Sequence, residues 1–298
     1  MTIIKTLRSI ISHPLNRHRQ IEAIRRWLQW QIGSRCLPGD CMLKWVNESL
    51  LIVKKGMTGA TGNIYTGLLE FEDMSFLLHM LRQNDLFVDV GANVGVYTIL
   101  CGAVARAKCI SIEPIPATFD YLWKNIIVNE INDLTTAHNI GVSSKEQVLT
   151  FTEDLGPMNR VITVGTTYPP MNTVEVKVKS LDEIIGESQP SLIKIDVEGL
   201  ETEVIAGAHN VMSRASLHAV IMELNGSGTY YGYDETKLRN KMSGYGFAPF
   251  RYSPFDRLLI PTSGMKNQSG NTLYIKNLDY VRERLIKAGA FRINGLSI

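Results

Sequence analysis

The feature that most constrains this 298-residue chain is residues 85–98, where a short apolar run passes through two glycines into a segment with helical spacing. The apolar run is typical of a buried strand and consists of Leu86, Phe87, Val88 and Val90. Gly91 and Gly95 then bracket a tight turn, in which Gly91 lets the backbone turn and a ligand approach closely. A strand that turns into a helix exposes backbone N–H groups at one sheet edge. The segment therefore predicts a ligand-binding corner.

The residues of the turn narrow the class of ligand. A dinucleotide-binding turn has three glycines in the pattern G-x-G-x-x-G, whereas residues 91–95 read Gly-Ala-Asn-Val-Gly. Asp89 comes just before the first glycine, where its carboxylate would face a diphosphate unfavourably. A carboxylate at this position suits a ligand that carries an ammonium group. Both features disfavour a nicotinamide dinucleotide.

The second predicted strand supplies an acidic residue with a specific spacing. Residues 108–112 form this strand, and Glu113 and Pro114 follow it directly. In a β-α-β unit, an acidic residue at the end of the second strand, about 20 residues past the glycines, binds the ribose hydroxyls of a nucleoside. Two hydroxyl donors to one carboxylate form charge-assisted hydrogen bonds. Glu113 is therefore the predicted ribose ligand.

A second acidic group follows the fourth predicted strand. Residues 192–195 form that strand, and Asp196 and Glu198 lie at its C-terminal end, where ligands bind in parallel sheets. Glu223 ends the next strand and can join them. Three interpretations remain open: proton acceptors that also orient substrate, an oxygen-ligand site for a divalent cation, or structural residues that cap helices or pair with Lys194 or Arg257. We assign no metal ligand.

Two motifs about 100 residues apart carry a family resemblance. Residues 89–95, Asp-Val-Gly-Ala-Asn-Val-Gly, resemble motif I of class I S-adenosylmethionine-dependent methyltransferases and look most like the FkbM-type branch. Residues 194–199, Lys-Ile-Asp-Val-Glu-Gly, followed by Glu203, Gly207 and Ala208, are similar to the second FkbM-type signature. The resemblance covers roughly residues 50 to 276. It implies an α/β, Rossmann-like fold with a mostly parallel seven-stranded sheet that ends in an antiparallel strand.

The resemblance also implies the cofactor, S-adenosylmethionine, with S-adenosylhomocysteine as product. A Gly-x-x-Glu element at residues 67–70 matches the family pattern and places Tyr65, Gly67 and Glu70 near the cofactor mouth. The residues expected to bind the cofactor are Asp89, Gly91, Asn93, Gly95, Glu113, Pro114, Asn139, Ile140, Gly141 and Asp196.

The reaction class follows from that cofactor. A sulfonium methyl group is already electrophilic, so the enzyme must align a nucleophile, exclude water and remove a proton. Asp196, Glu198 and Glu223 are the candidate catalytic residues. The resemblance implies O-methylation of a hydroxyl on a small molecule, sugar or natural-product intermediate. The alternatives are an N-methyltransferase for a peptide or amide, a nicotinamide-dependent oxidoreductase and a non-catalytic nucleoside-binding module.

Composition places the chain among ordinary globular proteins. It has 45% hydrophobic and 20% charged residues and a net charge of +2, so no nucleic acid partner is expected. The sequence shows neither a signal peptide nor an apolar run that would span a bilayer. The four cysteines lack C-x-x-C spacing and are expected to be free thiols, with a zinc site at Cys36 and Cys41 as the alternative. We expect a cytoplasmic location.

The expected organisation is a basic helical extension at residues 1–41 and a methyltransferase domain at residues 42–298. Within the latter we expect a β-rich hairpin lead-in at 42–70, a catalytic core at 71–276 and a C-terminal helix at 277–298. The extension carries two stretches of apolar residues at helical spacing, separated at His13-Pro14, with many basic residues between them. It either packs on the domain or contacts an anionic partner, such as a carrier protein or a membrane surface. The loops at 143–178 and 253–271 are candidate acceptor walls.

Overall fold

The central element of the computed structural model is an eight-stranded sheet, and the structure describes residues 3–36, 39–153, 159–162, 172–262 and 270–298. The strands of the described residues are, in order, β1 Cys41–Lys44, β2 Leu50–Val53, β3 Leu86–Val90, β4 Lys108–Ile112, β5 Thr135–His138, β6 Gly141–Val142, β7 Gln147–Thr152, β8 Thr173–Lys179, β9 Leu192–Ile195, β10 Ala219–Glu223, β11 Ala248–Ser253, β12 Leu258–Pro261, β13 Asn271–Ile275, β14 Arg292–Ile293 and β15 Leu296–Ser297.

The order of the strands gives the fold class. The sheet runs β12-β11-β13-β10-β9-β3-β4-β5, with β9, β10, β3, β4 and β5 paired in parallel. β13 lies antiparallel between β10 and β11, as expected for the strand that completes the sheet. The predicted α/β, Rossmann-like class is confirmed. The sheet has one strand more than the predicted seven, because residues 258–261, expected in a loop, pair antiparallel with β11 at the edge.

Helices cover both faces of the sheet. The α-helices of the described residues are α1 Ile3–Ser12, α2 Gln20–Cys36, α3 Thr58–Thr66, α4 Phe71–Met80, α5 Val96–Ile99, α6 Pro116–Val128, α7 Leu181–Ile185, α8 Glu201–Ala206, α9 His209–Ser213, α10 Glu235–Gly244 and α11 Leu278–Ile286. Alternate residues of each strand enter opposite cores: Phe87 of β3 packs in the layer with α4 and α11, and Val88 packs in the layer with α8 and α9. Each of these strands is thus buried on both sides, as their continuous apolar sequences predict.

The lead-in to the domain is a hairpin that is fixed to α6 by side-chain amides. β1 and β2 pair antiparallel, and the outer edge of β2 faces Asn125 of α6 and Asn129, the residue that directly follows α6. The Oδ1 atoms accept the N–H groups of Ile52 and Leu50 at 2.7 and 2.8 Å, and the Nδ2 atoms donate to their carbonyls at 3.2 and 2.7 Å. Nδ2 of Asn125 also donates to the carbonyl of Val94, 2.8 Å away in the glycine turn.

Three segments differ from the sequence-based expectation. Part of the lead-in at 42–70, which we expected to be β-rich, is the helix α3. Residues 139–141, three of the expected cofactor residues, do not end one strand of the main sheet: β5 stops at His138, and β6 joins a separate sheet with β7 and β8. The C-terminal helix expected over 277–298 ends at Ile286, and β14 and β15 form a small hairpin after it.

The N-terminal helices pack on the hairpin side of the domain. Trp30 of α2 packs with Leu51 and Val53 of β2 and Ala60 of α3, so the extension shares a core with the lead-in. In the parts of the chain that the structure describes, no helix is both long and apolar enough to cross a bilayer. All four cysteines are free thiols. Parts of both candidate acceptor walls, residues 154–158, 163–171 and 263–269, lie outside the described residues.

Candidate active site

A single cavity opens at the C-terminal ends of β3, β4, β9 and β10, and most of the predicted site residues line it. Those that do are Asp89, Gly91, Asn93, Glu113, Pro114, Ile140, Gly141, Asp196, Glu198 and Glu223. Gly95 and Asn139 are the two predicted cofactor residues that do not line it. α3 contributes Gly59, Ala60 and Asn63 to the wall opposite the sheet. The sheet edge therefore supplies the acids, and the lead-in segment covers them.

The glycine turn depends on close backbone contact. The N–H groups of Gly91 and Ala92 both donate to the carbonyl of Ile112 at 2.9 Å, which holds the turn against the end of β4. Gly91 has φ +79°, and a Cβ atom there would lie 1.8 Å from the carbonyl oxygen of Asp196. Only glycine fits at position 91, because it alone combines this φ with this contact. The two signature motifs thus touch at this point.

Glu113 is held in place by backbone groups. Its two carboxylate oxygens accept the N–H groups of Asn93 at 2.9 Å and Ile115 at 3.0 Å. Burial raises the pKa of Glu113 to about 7, although both hydrogen bonds oppose the shift. Nδ2 of Asn139 donates to the carbonyls of Glu113 and Pro114, so Asn139 supports the strand end from outside the cavity.

Asp89 lies at the floor of the cavity and is only 1% exposed. Its Oδ2 accepts the hydroxyl of Thr98 at 2.9 Å, and Thr98 Oγ1 lies 2.7 Å from Ser111 Oγ. Burial raises the pKa of Asp89 to about 6, against the attraction of the Lys194 ammonium.

Three acids from two strand ends converge. One carboxylate oxygen each of Asp196, Glu198 and Glu223 lies within 4.8 Å of the other two, a spacing that could also hold a metal ion. Burial, with the Asp196 carboxylate adding to it, raises the pKa of Glu198 to about 7 and that of Glu223 to about 9. The raised pKa favours the protonated form of Glu223, which can donate a hydrogen bond.

Lys194 is the buried cation of this cluster. It is 4% exposed, its Nζ lies 2.6 Å from Oδ2 of Asp196, and it lies 4.8 Å from the centroid of the Tyr97 ring. Burial acts to lower the pKa of Lys194, but the carboxylates of Asp196, Glu70 and Asp89 outweigh it and raise this pKa. Lys194 thus remains charged and holds one oxygen of Asp196 in a fixed position. The sequence suggested this pair only as one structural alternative.

Glu70 is a further acid in the cavity, and the sequence assigned it no chemical role. Oε2 of Glu70 accepts the hydroxyl of Tyr97 at 2.6 Å, and both residues line the cavity; the family pattern had placed Glu70 there but not Tyr97. Tyr65 and Gly67, placed near the cofactor mouth by the same pattern, do not line the cavity.

Glu201 fixes the backbone next to the cluster of Asp196, Glu198 and Glu223. Its Oε1 accepts the N–H groups of Val197 at 3.3 Å and Gly199 at 3.1 Å. The intervening Glu198 has φ +53°, a left-handed conformation that is uncommon for glutamate and is found mainly where structure around it enforces it. A glutamate that begins a helix just after a glycine was the available signal, since such acids bind free backbone N–H groups.

Comparison with known proteins identifies the domain. The methyltransferase FkbM domain matches residues 89–249, more than half of the chain. The chain belongs to the FkbM methyltransferase family. This confirms the family predicted from the two motifs, the enzyme class and S-adenosylmethionine as the cofactor. It also removes the nicotinamide alternative for this FkbM domain.

Curated relatives of the FkbM domain align over about half of the chain. The hexuronic acid methyltransferase AglP of Haloferax volcanii is 28% identical over 159 residues, which cover 52% of this chain and 62% of that protein. The methyltransferase sdnD of Sordaria araneosa is 25% identical over 169 residues, which cover 46% of this chain and 65% of that protein. The chain thus spans less than two thirds of the length of these relatives.

Solved structures that resemble the FkbM domain do so distantly. TYW2 from M. jannaschii, in complex with AdoMet, has a TM-score of 0.41 and 12% identity, covering 80% of this chain and 86% of that one.

The cavity fits S-adenosylmethionine electrostatically. Asp89, Glu113, Asp196, Glu198 and Glu223 face one cavity in which Lys194 is the cation among the described lining residues. S-adenosylmethionine brings a sulfonium and an ammonium group, which favour ionised carboxylates, and ribose hydroxyls, which suit the fixed carboxylate of Glu113. The individual contacts of these residues stay predictions.

Replacing Glu113 tests the ribose assignment. We expect Glu113→Ala to weaken S-adenosylmethionine binding by roughly 10- to 150-fold, since a hydrogen bond to a charged group contributes about 1.5 to 3 kcal/mol. Calorimetric titration measures the Kd, with Glu146→Ala, an exposed acid after β6, as control. An unchanged Kd in a folded Glu113→Ala protein would show that the ribose lies elsewhere.

Cofactor binding should depend on pH. The pKa values of Asp89 and Glu113 are raised to about 6 and about 7, so both carboxyls are largely protonated below these values. A cationic ligand binds their ionised forms better, so affinity should increase as the pH rises through this window, and binding below pH about 7 should release protons. Titrations in two buffers of different ionisation enthalpy measure the release. Identical heats in both buffers at pH about 6 would contradict the expectation.

Proposed function

We propose that this FkbM chain transfers the methyl group of S-adenosylmethionine to a hydroxyl group of a small molecule, with a saccharide or natural-product intermediate as acceptor. The observation that carries the proposal is the convergence of Asp196, Glu198 and Glu223 in the cavity that Glu113 and the glycine turn also line. Proton acceptors thus lie beside the residues expected to bind the cofactor. The name of the Haloferax relative, a hexuronic acid methyltransferase, supports a sugar acceptor.

Each of the three acids has a separate role in the proposed reaction. S-adenosylmethionine supplies an electrophilic methyl group when bound. In the proposed step the acceptor oxygen forms a bond to the methyl carbon as the sulfur–carbon bond breaks, the hydroxyl proton passes to a carboxylate, and S-adenosylhomocysteine leaves. Glu198 is suited to take the proton, because its pKa of about 7 lies near the working pH. Asp196, fixed by Lys194, orients the hydroxyl, and protonated Glu223 donates a hydrogen bond to the acceptor.

The cluster also bears on the divalent-cation alternative. Lys194 already places a positive charge on Asp196 and occupies one of its oxygens at 2.6 Å. The Lys194 ammonium group therefore already neutralises carboxylate charge that a bound metal cation would otherwise neutralise. We accordingly propose a reaction that does not require added metal.

A turnover assay tests the proposal. The protein is incubated with S-adenosylmethionine and a panel of uronic acid glycosides, neutral sugars, hydroxylated natural products and peptides, and the products are analysed by mass spectrometry. We expect S-adenosylhomocysteine together with one acceptor that gains a single CH₂ on oxygen, at a rate that a chelator leaves unchanged. A gain on nitrogen would instead support the peptide or amide alternative.

Two outcomes would contradict the proposed chemistry. Tight cofactor binding without transfer to any pooled metabolite fraction would identify a non-catalytic nucleoside-binding module. A rate that falls with chelator and returns with Mg²⁺ would show that the three acids hold a metal ion.

A further inference from the structure

The N-terminal helices leave large aliphatic side chains in solvent although they pack on the domain. On α1, Ile3 is 65% and Ile4 77% exposed; on α2, Ile21 is 84%, Leu28 45% and Ile32 62% exposed. We call these five residues the N-terminal apolar face. Single exposed apolar residues are common, but a contiguous set of them marks an interaction surface.

The spacing of these residues makes the face continuous along each helix. Ile21, Leu28 and Ile32 recur on successive turns of α2, with Arg25 between them on the same side. On α1 the exposed pair is continued by Leu7 and Ile11 at helical spacing. A shallow groove joins the two helices and is lined by Ile4, Leu7, Arg8, Ile11, Ser12, Arg17 and Gln20. In this groove aliphatic side chains of α1 and two arginines therefore share one surface, and α2 adds its own exposed stripe beside it.

The charge of this region contrasts with that of the rest of the chain. Residues 3–36 contain seven basic and one acidic side chain, whereas the other residues contain 24 basic and 28 acidic side chains. A carboxylate oxygen of Glu22, the one acid, lies 3.7 Å from a guanidinium nitrogen of Arg19. The guanidinium group of Arg26 donates hydrogen bonds to Oδ1 of Asn16 and to the carbonyl of Tyr65. Within the described ranges, Lys5, Arg8, Arg17 and Arg25 form no salt bridge. The surface is thus apolar and positively charged at once.

The kinds of residue distinguish lipid from protein as the partner. Protein interfaces concentrate aromatic anchors at their centre. Here Trp30 is buried in the domain core and Trp27 is half-buried, and the large exposed side chains of the two helices are isoleucine and leucine. Helices that lie in a bilayer interface combine an aliphatic face with flanking Lys and Arg, whose long stems let the charge reach the headgroups. The sequence and exposure of α1 and α2 match the second pattern.

We propose that the N-terminal apolar face, with Lys5, Arg8, Arg17 and Arg25, docks the protein on the surface of an anionic lipid bilayer. The isoleucines enter the boundary between headgroups and acyl chains, and the basic side chains contact lipid phosphates. α1 and α2 lie in the interface and do not cross the bilayer. Docking is independent of methyl transfer, so its test does not depend on the proposed function.

Vesicle flotation tests this docking with the full chain. Vesicles of phosphatidylcholine alone are compared with vesicles of equal parts phosphatidylcholine and phosphatidylglycerol. We expect binding to the anionic vesicles that decreases by at least about tenfold when NaCl rises from about 0.05 to about 0.5 M. The double variants Ile4→Ser/Ile21→Ser and Arg8→Ala/Arg17→Ala should each lower the partition coefficient by at least about tenfold.

Matched variants elsewhere on the surface serve as controls. Ile286 is 70% exposed at the end of α11, and Lys145 and Lys177 are exposed on the β6–β8 side. Ile286→Ser and Lys145→Ala/Lys177→Ala should leave vesicle binding unchanged. Equal binding to both vesicle types, equal loss in the controls, or no binding at low salt would overturn the proposal. Self-association in sedimentation velocity that Ile4→Ser/Ile21→Ser removes, without vesicle binding, would instead show a protein contact and would equally overturn it.

Discussion

Gly91→Ala is expected to abolish S-adenosylmethionine binding and to lower the free energy of unfolding by about 3 kcal/mol or more. The added Cβ would lie 1.8 Å from the carbonyl oxygen of Asp196, and a backbone carbonyl at the end of a central strand cannot move aside cheaply. Alanine is also strained at φ +79°. Urea denaturation and calorimetric titration measure the two effects.

Gly33→Ala is the matched control for this substitution. Gly33 lies within α2, and a Cβ there would meet no atom within 4 Å. Because alanine favours helix over glycine, this variant should keep full cofactor affinity and gain up to about 1 kcal/mol of stability. A Gly91→Ala protein that unfolds at the same urea concentration as the unmodified chain would show that β3 and β9 do not meet as described.

Asp196→Asn should lower kcat by roughly 10² to 10⁴ while the fold is kept; the cofactor Kd, to which the Asp196 carboxylate is also expected to contribute, should rise by a smaller factor. The substitution keeps the size of the side chain but removes the charge that pairs with Lys194 and orients the acceptor. Lys194 retains the nearby carboxylates of Glu70 and Asp89, which favours a folded protein. Release of S-adenosylhomocysteine with the acceptor from the turnover assay measures kcat.

Two comparisons separate a role in the reaction from a structural one. Asp120→Asn, an exposed acid on α6, should leave kcat unchanged. Glu198→Gln should remove the rise of kcat with pH that a proton acceptor of pKa about 7 produces, whereas Asp196→Asn should lower kcat at every pH. Full turnover by Asp196→Asn would reject its place in the reaction.

The central sheet and the acidic residues at its strand ends could be predicted from sequence, because the apolar pattern of each strand agrees with the rule for where ligands bind in parallel sheets. β3, β4, β9 and β10 are short apolar runs that end in polar residues, and the polar residues at parallel strand ends meet at one edge. The sequence therefore predicts Asp89, Glu113, Asp196 and Glu223 at one sheet edge, and in the structure they line one cavity. Glu198 came with them because it lies three residues beyond the end of β9.

The segments that were missed depend on contacts distant in sequence. α3 contains Gly59 and Gly62, which are poor helix formers. A Cβ at Gly62 would lie 2.8 Å from Cδ2 of Leu69, so tertiary packing requires glycine at this position. Helix propensity alone therefore does not predict α3. β12 is strand only through pairing with β11. The Tyr97–Glu70 hydrogen bond joins residues 27 positions apart, and the periodicity of apolar residues in the sequence does not predict it.

The amide contacts between α6 and the hairpin have a consequence for how the chain resists unwanted association. Residues four apart on a helix advance about 6 Å, close to the roughly 6.7 Å between alternate residues of a strand, so Asn125 and Asn129 can meet Leu50 and Ile52 in step. A helix thereby takes the position of a neighbouring strand and uses up the outward backbone groups at Leu50 and Ile52. Because the helix presents no strand edge of its own, another β-strand cannot pair with this edge of β2. The same contacts tie the lead-in to the glycine turn through Val94, so the wall of the cavity and the turn are held as one unit.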